Sequence, residues 1–382
     1  MRGVTTSAGI LITIAWLAAG AAPPPDREVL PLEAAPGFAL AAAPHAFQFP
    51  RDHGPHPEFR QEWWYLTGNL DGAGGERFGF ELTFFRFALE PPPGPGAAAG
   101  GAVRAASAWR TREIYMAHFA ITDVAAQRFR FAQKLARAAL GLAGAVDAPL
   151  RVWIDDWMLG DAAAAQPGGW RLSAAQPEYA LELELRPLTP PVLNGAAGLS
   201  RKSDALGSAS YYYSIPRLAV RGRLLRAGKS LAVEGLAWLD REWGSGELGA
   251  DQTGWDWFAL QLDDGTALMF YALRGRDGGR DPHSAGTWMD NSGASRALAS
   301  SAVEIDVTDR WTDSEGVRYP AGWRIRVPSL ALDVTVHPVL ADQELKTRPR
   351  YFEGAVDVSG LRAGRALGGR GYVELVGYAR GR

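Results

Sequence analysis

Two acidic residues stand among tryptophans in one short segment of the chain. Asp240 and Glu242 lie between Trp238 and Trp243, and a second tryptophan-rich segment follows at residues 255–257. In a β-strand, side chains alternate between two faces, so Trp238, Asp240 and Glu242 share one face. Carboxyl groups in an apolar pocket have raised pKa values and can act as general acids toward an olefin or an ester. We therefore take Asp240 and Glu242 as candidate catalytic residues.

A structural interpretation of the same two carboxylates stays open. In this interpretation Asp240 and Glu242 form salt bridges with arginines such as Arg86, Arg217 or Arg274 at the junction of two parts of the protein. The salt bridges would fix the geometry, and the carboxylates would have no catalytic role. The two interpretations predict different surroundings. A catalytic Asp240 or Glu242 must reach an open cavity, whereas a structural one must contact a guanidinium group.

His118 and Tyr212 complete the set of candidate catalytic residues. His118 lies on an apolar strand face, which is typical of a core histidine with satisfied hydrogen bonds but equally fits a proton-transfer group inside a pocket. The hydroxyl groups of Tyr212 and Ser214 could orient the polar end of an apolar ligand.

A larger group of aromatic, hydroxyl and cationic residues could line a cavity for an elongated apolar molecule. These candidate ligand-binding residues are Trp63, Trp64, Tyr65, Arg86, Tyr212, Ser214, Trp238, Arg241, Trp243, Trp255 and Trp257. Because Trp63, Trp64 and Tyr65 alternate along one strand, at least one of these rings belongs to a core. Arg86 ends an aromatic strand, where its guanidinium group must find a carboxylate or a ring, either to close a barrel or to recognise a ligand headgroup.

The elements that position these residues are mostly strands. Hydrophobic residues alternate with polar ones, with glycine, proline and Asp-Gly breaks between the segments. The predicted strands cover residues 61–70, 78–87, 112–123, 179–185, 211–225 and 231–243. The alanine-rich segment 131–142 is the one predicted helix of note.

The chain contains an internal repeat. A tryptophan-led strand that runs into Asp-Gly occurs at residues 62–72 and again at 256–265, and each copy precedes an aromatic strand that ends in arginine. Residues 170–187 are echoed in the same order by residues 323–338. This pattern predicts two copies of one antiparallel all-β unit, each an up-and-down barrel or a strongly curved sheet, with a boundary near residues 245–252.

Composition excludes several classes of function. The 382 residues include 14 tryptophans and no cysteine, which rules out disulfides, cysteine nucleophiles and thiolate metal sites. Forty basic and 42 acidic residues leave a net charge of −2, so no nucleic-acid partner is predicted. His45, His53 and His56 lack regular spacing, and the sequence predicts neither a metal site nor a cofactor.

The first residues predict export. Arg2 precedes an apolar run from Ile10 to Ala22 that has the length of a signal-peptide core and is too short for a membrane span. Cleavage after Ala21 fits the preference for small residues. We expect a signal peptide at residues 1–21, a linker at 22–44, and a periplasmic or secreted protein that has no integral membrane span after cleavage.

Five aromatic motifs resemble those of a known family. They are Glu62-Trp63-Trp64-Tyr65, Tyr211-Tyr212-Tyr213-Ser214, the segment from Gly235 to Trp243, Gly254-Trp255-Asp256-Trp257, and Tyr351-Phe352-Glu353-Gly354. In this order the motifs resemble the AttH-like proteins, which group with the carotenoid 1,2-hydratases and include members labelled secreted hydrolases. The resemblance runs from about His45 to Arg380.

The resemblance implies two tandem lipocalin-like antiparallel β-barrel domains, which we place at residues 45–247 and 248–382. It also implies an association with an ABC export system. Carotenoid hydratases use a histidine-containing acidic motif to protonate a double bond, but the comparable stretch here is Asp240-Arg241-Glu242. Arginine is a poor proton donor, so the hydratase chemistry does not carry over directly.

Two main functional hypotheses follow. The first is an exported protein that binds a hydrophobic or amphipathic small molecule of the lipid or terpenoid class and is linked to an ABC transporter. The alternative is a hydratase, isomerase or hydrolase that acts on an apolar, isoprenoid-like substrate by carboxylate acid-base chemistry. An adhesive role is a third interpretation, and it would require a large exposed apolar patch.

Overall fold

The structure is a computed structural model that describes residues 35–92, 111–162, 168–246 and 248–379. The predicted signal peptide and the first part of the predicted linker lie outside these residues. In the part of the chain that is described, two antiparallel sheets dominate, joined by turns and three short 3-10 helices at Arg51–His53, Ser300–Ala302 and Pro328–Leu330. None of the helices among the described residues is long and apolar enough to cross a membrane.

The first sheet extends from residue 61 to residue 244. Its strands are β1 (Gln61–Gly72), β2 (Arg77–Ala88), β3 (Glu113–Asp123), β4 (Arg128–Arg137), β5 (Ala143–Asp147), β6 (Leu150–Ile154), β7 (Trp157–Asp161), β8 (Trp170–Ala175), β9 (Tyr179–Pro187), β10 (Val192–Leu193), β11 (Leu199–Arg201), β12 (Ala209–Arg226) and β13 (Lys229–Gly244). The main path runs β4-β3-β2-β1-β13-β12-β9-β8-β7-β6-β5, with β10 and β11 paired to β12. Since β4 contacts β6 across the remaining gap, the sheet forms a nearly closed barrel.

The second sheet extends from residue 252 to residue 376 and forms a half-barrel. Its strands are β14 (Gln252–Leu262), β15 (Ala267–Gly275), β16 (Ala285–Met289), β17 (Ser295–Ala299), β18 (Glu304–Thr312), β19 (Arg318–Val327), β20 (Leu332–Pro338), β21 (Glu344–Leu345), β22 (Tyr351–Arg362) and β23 (Arg365–Val376). The path runs β17-β16-β15-β14-β23-β22-β20-β19-β18, with β21 paired to β22.

The strand order explains the repeat in the sequence. The run β2-β1-β13-β12-β9-β8 of the first sheet corresponds in order to β15-β14-β23-β22-β20-β19 of the second. The tryptophan-led strands β1 and β14 hold the same place, and each pairs with the aromatic strand that follows it in the chain. The two halves are therefore two versions of one antiparallel meander.

The helix predicted at residues 131–142 is wrong. Residues 128–137 form β4, which pairs with β3 from Asp123↔Arg128 to Ile114↔Arg137. Alanine has the highest helix propensity, but such local preferences are small, and ten residues of ladder pairing outweigh them. A turn follows, in which Leu140 and Gly141 have positive φ angles of 55° and 73°.

Strands at the centre of the first sheet are buried on both faces. Along β1, Trp64, Leu66 and Leu70 point into the first barrel and join its core. Trp63 and Tyr65 point the other way, toward the second sheet, where they pack with residues of β14 and β15. The region between the two sheets is thus a second interior, distinct from the lumen of either barrel.

Polar side chains bridge the two sheets. The Tyr65 hydroxyl donates to Glu353 Oε2 at 2.9 Å, and Asn69 Nδ2 donates to the Gly371 carbonyl at 3.1 Å. Gln261 Nε2 donates to the carbonyls of Pro216 and Ala237 at 2.7 and 3.0 Å. Because these partners are buried and directional, the bridges specify one orientation of the barrels rather than a loose apolar contact.

A buried charge cluster closes one end of the first barrel. Glu62 accepts hydrogen bonds from Arg86 Nε and Arg241 Nη2, and the side chains of all three residues are fully buried. The Arg241 guanidinium group lies 3.8 Å from the centroid of the Trp64 ring. Burial alone raises the pKa of the Glu62 carboxyl, but Arg86 and Arg241 hold this pKa well below its usual value. Glu62 therefore remains ionised in the folded protein.

We expect Glu62→Gln to destabilise the protein by about 3–5 kcal/mol, because it leaves two buried guanidinium groups short of their shared counter-charge. Urea unfolding followed by tryptophan fluorescence measures this change. Asp333→Asn is the matched control, since Asp333 pairs with Arg324 on an exposed surface and its loss should cost less than about 1 kcal/mol. Equal effects of the two substitutions would contradict the assignment of Glu62 as the buried counter-charge of Arg86 and Arg241.

Candidate functional site

A pocket of about 110 Å³ lies between the two sheets. Its lining includes seven aromatic residues that form most of its apolar wall, namely Trp63, Tyr65, Phe85, Tyr212, Trp255, Trp257 and Tyr271. Four ionisable side chains also line it: Lys202, Asp240, Glu242 and Glu374. A lining of apolar groups with a few polar groups of fixed direction is typical of small-molecule sites, although the volume is smaller than the roughly 300–1,000 Å³ of pockets that enclose drug-sized ligands.

Asp240 is held by three hydrogen bonds. Its Oδ1 accepts from Ser214 Oγ at 2.5 Å and from Trp238 Nε1 at 2.7 Å, and its Oδ2 accepts from the Tyr212 hydroxyl at 2.5 Å. Cross-strand pairing explains the convergence, because Ser214 lies directly opposite Asp240 in the β12–β13 ladder. The carboxyl group is therefore fixed in direction while Oδ2 keeps acceptor capacity.

A further layer of side chains holds the donors. Trp257 Nε1 donates to the Tyr212 hydroxyl at 3.1 Å, which leaves the hydroxyl hydrogen for Asp240. Behind Ser214, Asn194 Nδ2 donates to Ser214 Oγ at 2.8 Å, and Thr287 Oγ1 donates to Asn194 Oδ1 at 2.8 Å. Since Trp257 and Thr287 belong to the second sheet, both barrels contribute to the geometry around Asp240.

Burial raises the pKa of Asp240 to about 7. The hydrogen bonds from Ser214, Tyr212 and Trp238 act in the opposite direction, and the nearby charge of Glu242 raises the pKa further. A group whose pKa lies close to neutral pH is both protonated often enough and acidic enough to act as a general acid. Asp240 meets that condition inside an aromatic pocket.

A second carboxyl group in the pocket has a similar pKa. Burial raises the pKa of Glu374 to about 7, against the lowering effect of a 3.0 Å hydrogen bond from Trp255 Nε1, and the charges of Glu242 and Asp240 add to the increase. Glu242, the third carboxylate of the pocket, forms an ion pair with Lys202 Nζ at 3.1 Å. The pocket thus combines two carboxyls whose pKa values are each about 7 with one ion pair.

The arginine contacts expected from a purely structural Asp240 and Glu242 are not observed among the described residues. Arg86 pairs with Glu62 and Glu113, and Arg274 pairs with Asp256. Arg217 donates to the backbone carbonyls of Leu262 and Thr266. Asp240 instead has only uncharged hydrogen-bond donors and lines the cavity, which is the arrangement that the catalytic interpretation requires.

Four of the candidate ligand-binding residues lie inside the first barrel instead of in the pocket. Trp64, Arg86, Arg241 and Trp243 are fully or almost fully buried there, with Arg241 between the rings of Trp64 and Trp243. Strand alternation is the reason, because the neighbours of pocket-facing residues must face the barrel. The sequence alone showed two aromatic faces and could not tell which of them bordered a cavity.

Three other candidates lie near the pocket without lining it. Trp238 and Ser214 stand behind Asp240 as its hydrogen-bond donors. His118 lies on the same side of the first sheet, but its Nδ1 is 2.6 Å from the Tyr351 hydroxyl and its Nε2 is 2.7 Å from Gln133 Nε2. Burial lowers the pKa of His118 to about 3. We therefore assign His118 to the bridge between the barrels, as a neutral side chain.

Lys202, Glu374 and Tyr271 line the pocket but were not among the candidates. Lys202 lies just beyond β11, 4.2 Å from the centroid of the Tyr271 ring, and Glu374 comes from the last strand. One sequence signal could have found Glu374, since it is a charged residue in an otherwise apolar strand, Tyr372 to Val376. Lys202 follows a short edge strand and carries no such pattern.

The comparisons with known proteins agree with this architecture. The family model described as AttH-like matches residues 40–378. The chain belongs to the AttH-like family. A crystal structure of an AttH protein from Nitrosomonas europaea is 34% identical, with a TM-score of 0.78, over 90% of this chain and 100% of that chain. No curated protein matches the chain.

Two further solved structures share the fold at lower identity. Kievitone hydratase from Nectria haematococca is 15% identical with a TM-score of 0.65, over 91% of this chain and 98% of that chain. CghA, solved with Sch210972, is 13% identical with a TM-score of 0.52, over 92% and 99%. The family and the two lipocalin-like barrels predicted from the sequence are therefore confirmed, with the second barrel only half closed.

The structure gives a location to Arg241, the central residue of the Asp240-Arg241-Glu242 stretch. Arg241 faces the first barrel, where it pairs with Glu62, while Asp240 faces the pocket. The Arg241 side chain therefore forms a salt bridge inside the first barrel. The presence of arginine there consequently does not reduce the ability of Asp240 to donate a proton.

The raised pKa of Glu374 predicts a pH dependence of stability. The folded protein keeps this carboxyl protonated up to about pH 7, whereas the unfolded chain ionises it near 4.5. Between these values the folded state binds more protons, so its stability falls as the pH rises. We expect wild type to lose stability relative to Glu374→Gln across this window, by at most about 1.4 kcal/mol per pH unit.

Urea unfolding of both proteins from pH 4.5 to pH 8 measures this difference. Asp357→Asn serves as the control, because Asp357 is exposed at the edge of the interface and pairs there with Arg77. Parallel stability curves for wild type and Glu374→Gln would show that Glu374 is ionised in the folded protein throughout this range.

Proposed function

We propose that this protein is a hydratase-like acid-base catalyst that holds an apolar, unsaturated small molecule of the lipid or terpenoid class between its two barrels. Asp240 is the proton donor. The observation that carries the proposal is a carboxyl group with a pKa of about 7, fixed by three hydrogen bonds at the wall of an aromatic pocket. The fold shared with a hydratase is consistent with this role, but the argument rests on the site itself.

The pocket suits the protonation of a carbon-carbon double bond. Neutral Asp240 transfers its proton to one alkene carbon, and the positive charge that develops on the other carbon lies among ring faces that stabilise cations. Water then attacks the cationic carbon, and the ionised Asp240 carboxylate accepts the proton that water loses. The sum of these steps is the addition of one water molecule, and Asp240 is regenerated.

Binding without turnover is the second candidate function. It is favoured by the tightness of the hydrogen bonds to Asp240, which could serve only to keep a polar group in place within an aromatic wall. The Lys202–Glu242 ion pair would then recognise the polar end of an amphipathic ligand. In this role the protein would pass its ligand to or from an ABC transporter.

One experiment separates the two functions and does not require a single assumed substrate. The purified chain is incubated in deuterated water with a panel of prenylated and polyene compounds, and mass spectrometry records both binding and the uptake of deuterium. A catalyst transfers deuterium from Asp240 to carbon and adds one water molecule to its product. We expect wild type to label at least one compound, and Asp240→Asn to lose at least about 100-fold in rate, the usual share of a general acid, while it still binds that compound.

Asp357→Asn is the control, because this exposed residue lies outside the pocket. Trp63→Ala removes part of the aromatic wall and should weaken binding, whereas Trp153→Ala, on β6 of the first barrel, should not.

Binding without any deuterium uptake in wild type would leave the carrier function as the correct one. If wild type binds none of the compounds in native mass spectra, the proposal of an apolar ligand fails as well.

Export and the link to an ABC transporter are part of the same proposal. The apolar run from Ile10 to Ala22 supports export, and membership of the AttH-like family supports the transporter link. We expect cell fractionation to recover a chain shortened by 21 residues from the periplasm or the medium, with the new terminus identified by mass spectrometry. Recovery of the full-length chain from the cytoplasm would contradict export, without bearing on the pocket chemistry.

A further inference from the structure

A second cluster of ionisable side chains lies at the closed end of the first barrel, on the opposite face of β1 and β13 from the pocket. The segment that precedes β1 crosses this end and brings together His45, Asp52 and His56. His45 Nε2 lies 3.0 Å from Asp52 Oδ2, and His56 Nε2 lies 3.6 Å from Asp52 Oδ1. Asp52 and His56 are buried, while His45 is partly exposed.

We infer that His45, Asp52 and His56 form a binding site for a divalent transition-metal ion such as zinc. The ligand set consists of two imidazole nitrogens and one carboxylate, all of whose coordinating atoms lie within 4.8 Å of one another. Imidazole and carboxylate groups are common zinc ligands, and three protein ligands leave one position of a tetrahedral ion for water.

The spacing of the ligand atoms fits such an ion. Bonds of about 2.0–2.1 Å in a tetrahedron place neighbouring ligand atoms about 3.4 Å apart. The two imidazole nitrogens approach different oxygens of Asp52, His45 Nε2 at 3.0 Å from Oδ2 and His56 Nε2 at 3.6 Å from Oδ1, and both distances are close to that value. The rings of His45 and His56 stand almost perpendicular, at 86°, with centroids 6.4 Å apart, so both can direct Nε2 toward Asp52.

The surrounding residues already orient the ligands. His56 Nδ1 lies 3.4 Å from Glu62 Oε2, and the ring stacks on Trp243 at 3.7 Å with an interplanar angle of 4°. A carboxylate that accepts from the second nitrogen of a histidine is the usual support of a metal ligand. Asp52 Oδ2 accepts from the Gln48 backbone nitrogen at 2.7 Å, which fixes the carboxylate.

The local charge also favours a cation, despite a nearby guanidinium. Arg241 Nη2 lies 3.4 Å from His56 Nδ1, on the side of the ring away from the Nε2 ligand atom. The two arginines of this end, Arg241 and Arg86, are matched by Glu62 and Glu113. Asp52 adds a further negative charge. Within the described part of the chain, its ion-pair contacts are with His45 and His56.

The test uses the whole mature chain after treatment with a chelator. Titration calorimetry with zinc chloride should give one site per chain, and cobalt(II) should give visible absorption bands typical of a four-coordinate site. We expect His45→Ala and Asp52→Asn each to weaken zinc binding by at least about 10-fold. His337→Ala, which removes an exposed histidine on β20 of the second sheet, should leave the affinity unchanged.

Each outcome decides the assignment. His45 is partly exposed and Asp52→Asn preserves shape, so circular dichroism should show that both variants fold, even if His56→Ala does not. Zinc should also raise the melting temperature of wild type but not of Asp52→Asn, because an ion bound to the folded state stabilises it. Failure of wild type to bind zinc at 100-fold molar excess, or undiminished affinity in His45→Ala and Asp52→Asn, would overturn the site.

Discussion

The rest of the structure depends on the burial of both faces of β1 and β13. Each position along these strands faces either the first barrel or the space between the barrels, and a shift of one residue in register would exchange the two sets. Such a shift would place Arg241 in the apolar pocket and Asp240 beside Glu62. The salt bridges from Glu62 to Arg86 and Arg241 therefore do more than close the barrel. Because an unpaired buried charge is strongly unfavourable, they also determine which side of β13 becomes the wall of the pocket.

This two-sided burial explains what could be predicted from the sequence. Alternation, turns and the internal repeat were sufficient for two all-β units, and strand phase put Asp240 and Glu242 on the face of Trp238, as in the structure. Alternation cannot tell which of two aromatic faces borders a cavity, and for that reason Trp64 and Arg241 were included among the ligand-binding candidates. That choice depends on the partner sheet, whose position relative to β13 follows from contacts between residues far apart in the sequence.

The remaining differences have the same physical origin. Segment 131–142 carries a local preference for helix, but the free edge of β3 supplies a ladder that only the folded barrel creates. Lys202 and Glu374 reach the pocket from an edge strand and from the last strand of the chain. The spacing of His45 and His56 has no regular period, because an irregular segment brings them to Asp52. In each case the tertiary arrangement, rather than the local pattern, decides which groups meet.

Two buried carboxyls show how the alternation separates chemical roles. Glu62 and Asp240 lie on paired strands at similar depth, but on opposite faces. Burial raises the pKa of both groups. At Glu62 the charges of Arg86 and Arg241 outweigh burial and hold the pKa well below its usual value, so this group is a permanent anion. Asp240 has only neutral donors, and its pKa stays near 7. A guanidinium group on the pocket side would lower the pKa of Asp240 and make it a second permanent anion. Because the arginines are confined to the barrel side, Asp240 can carry a proton that is available to a ligand.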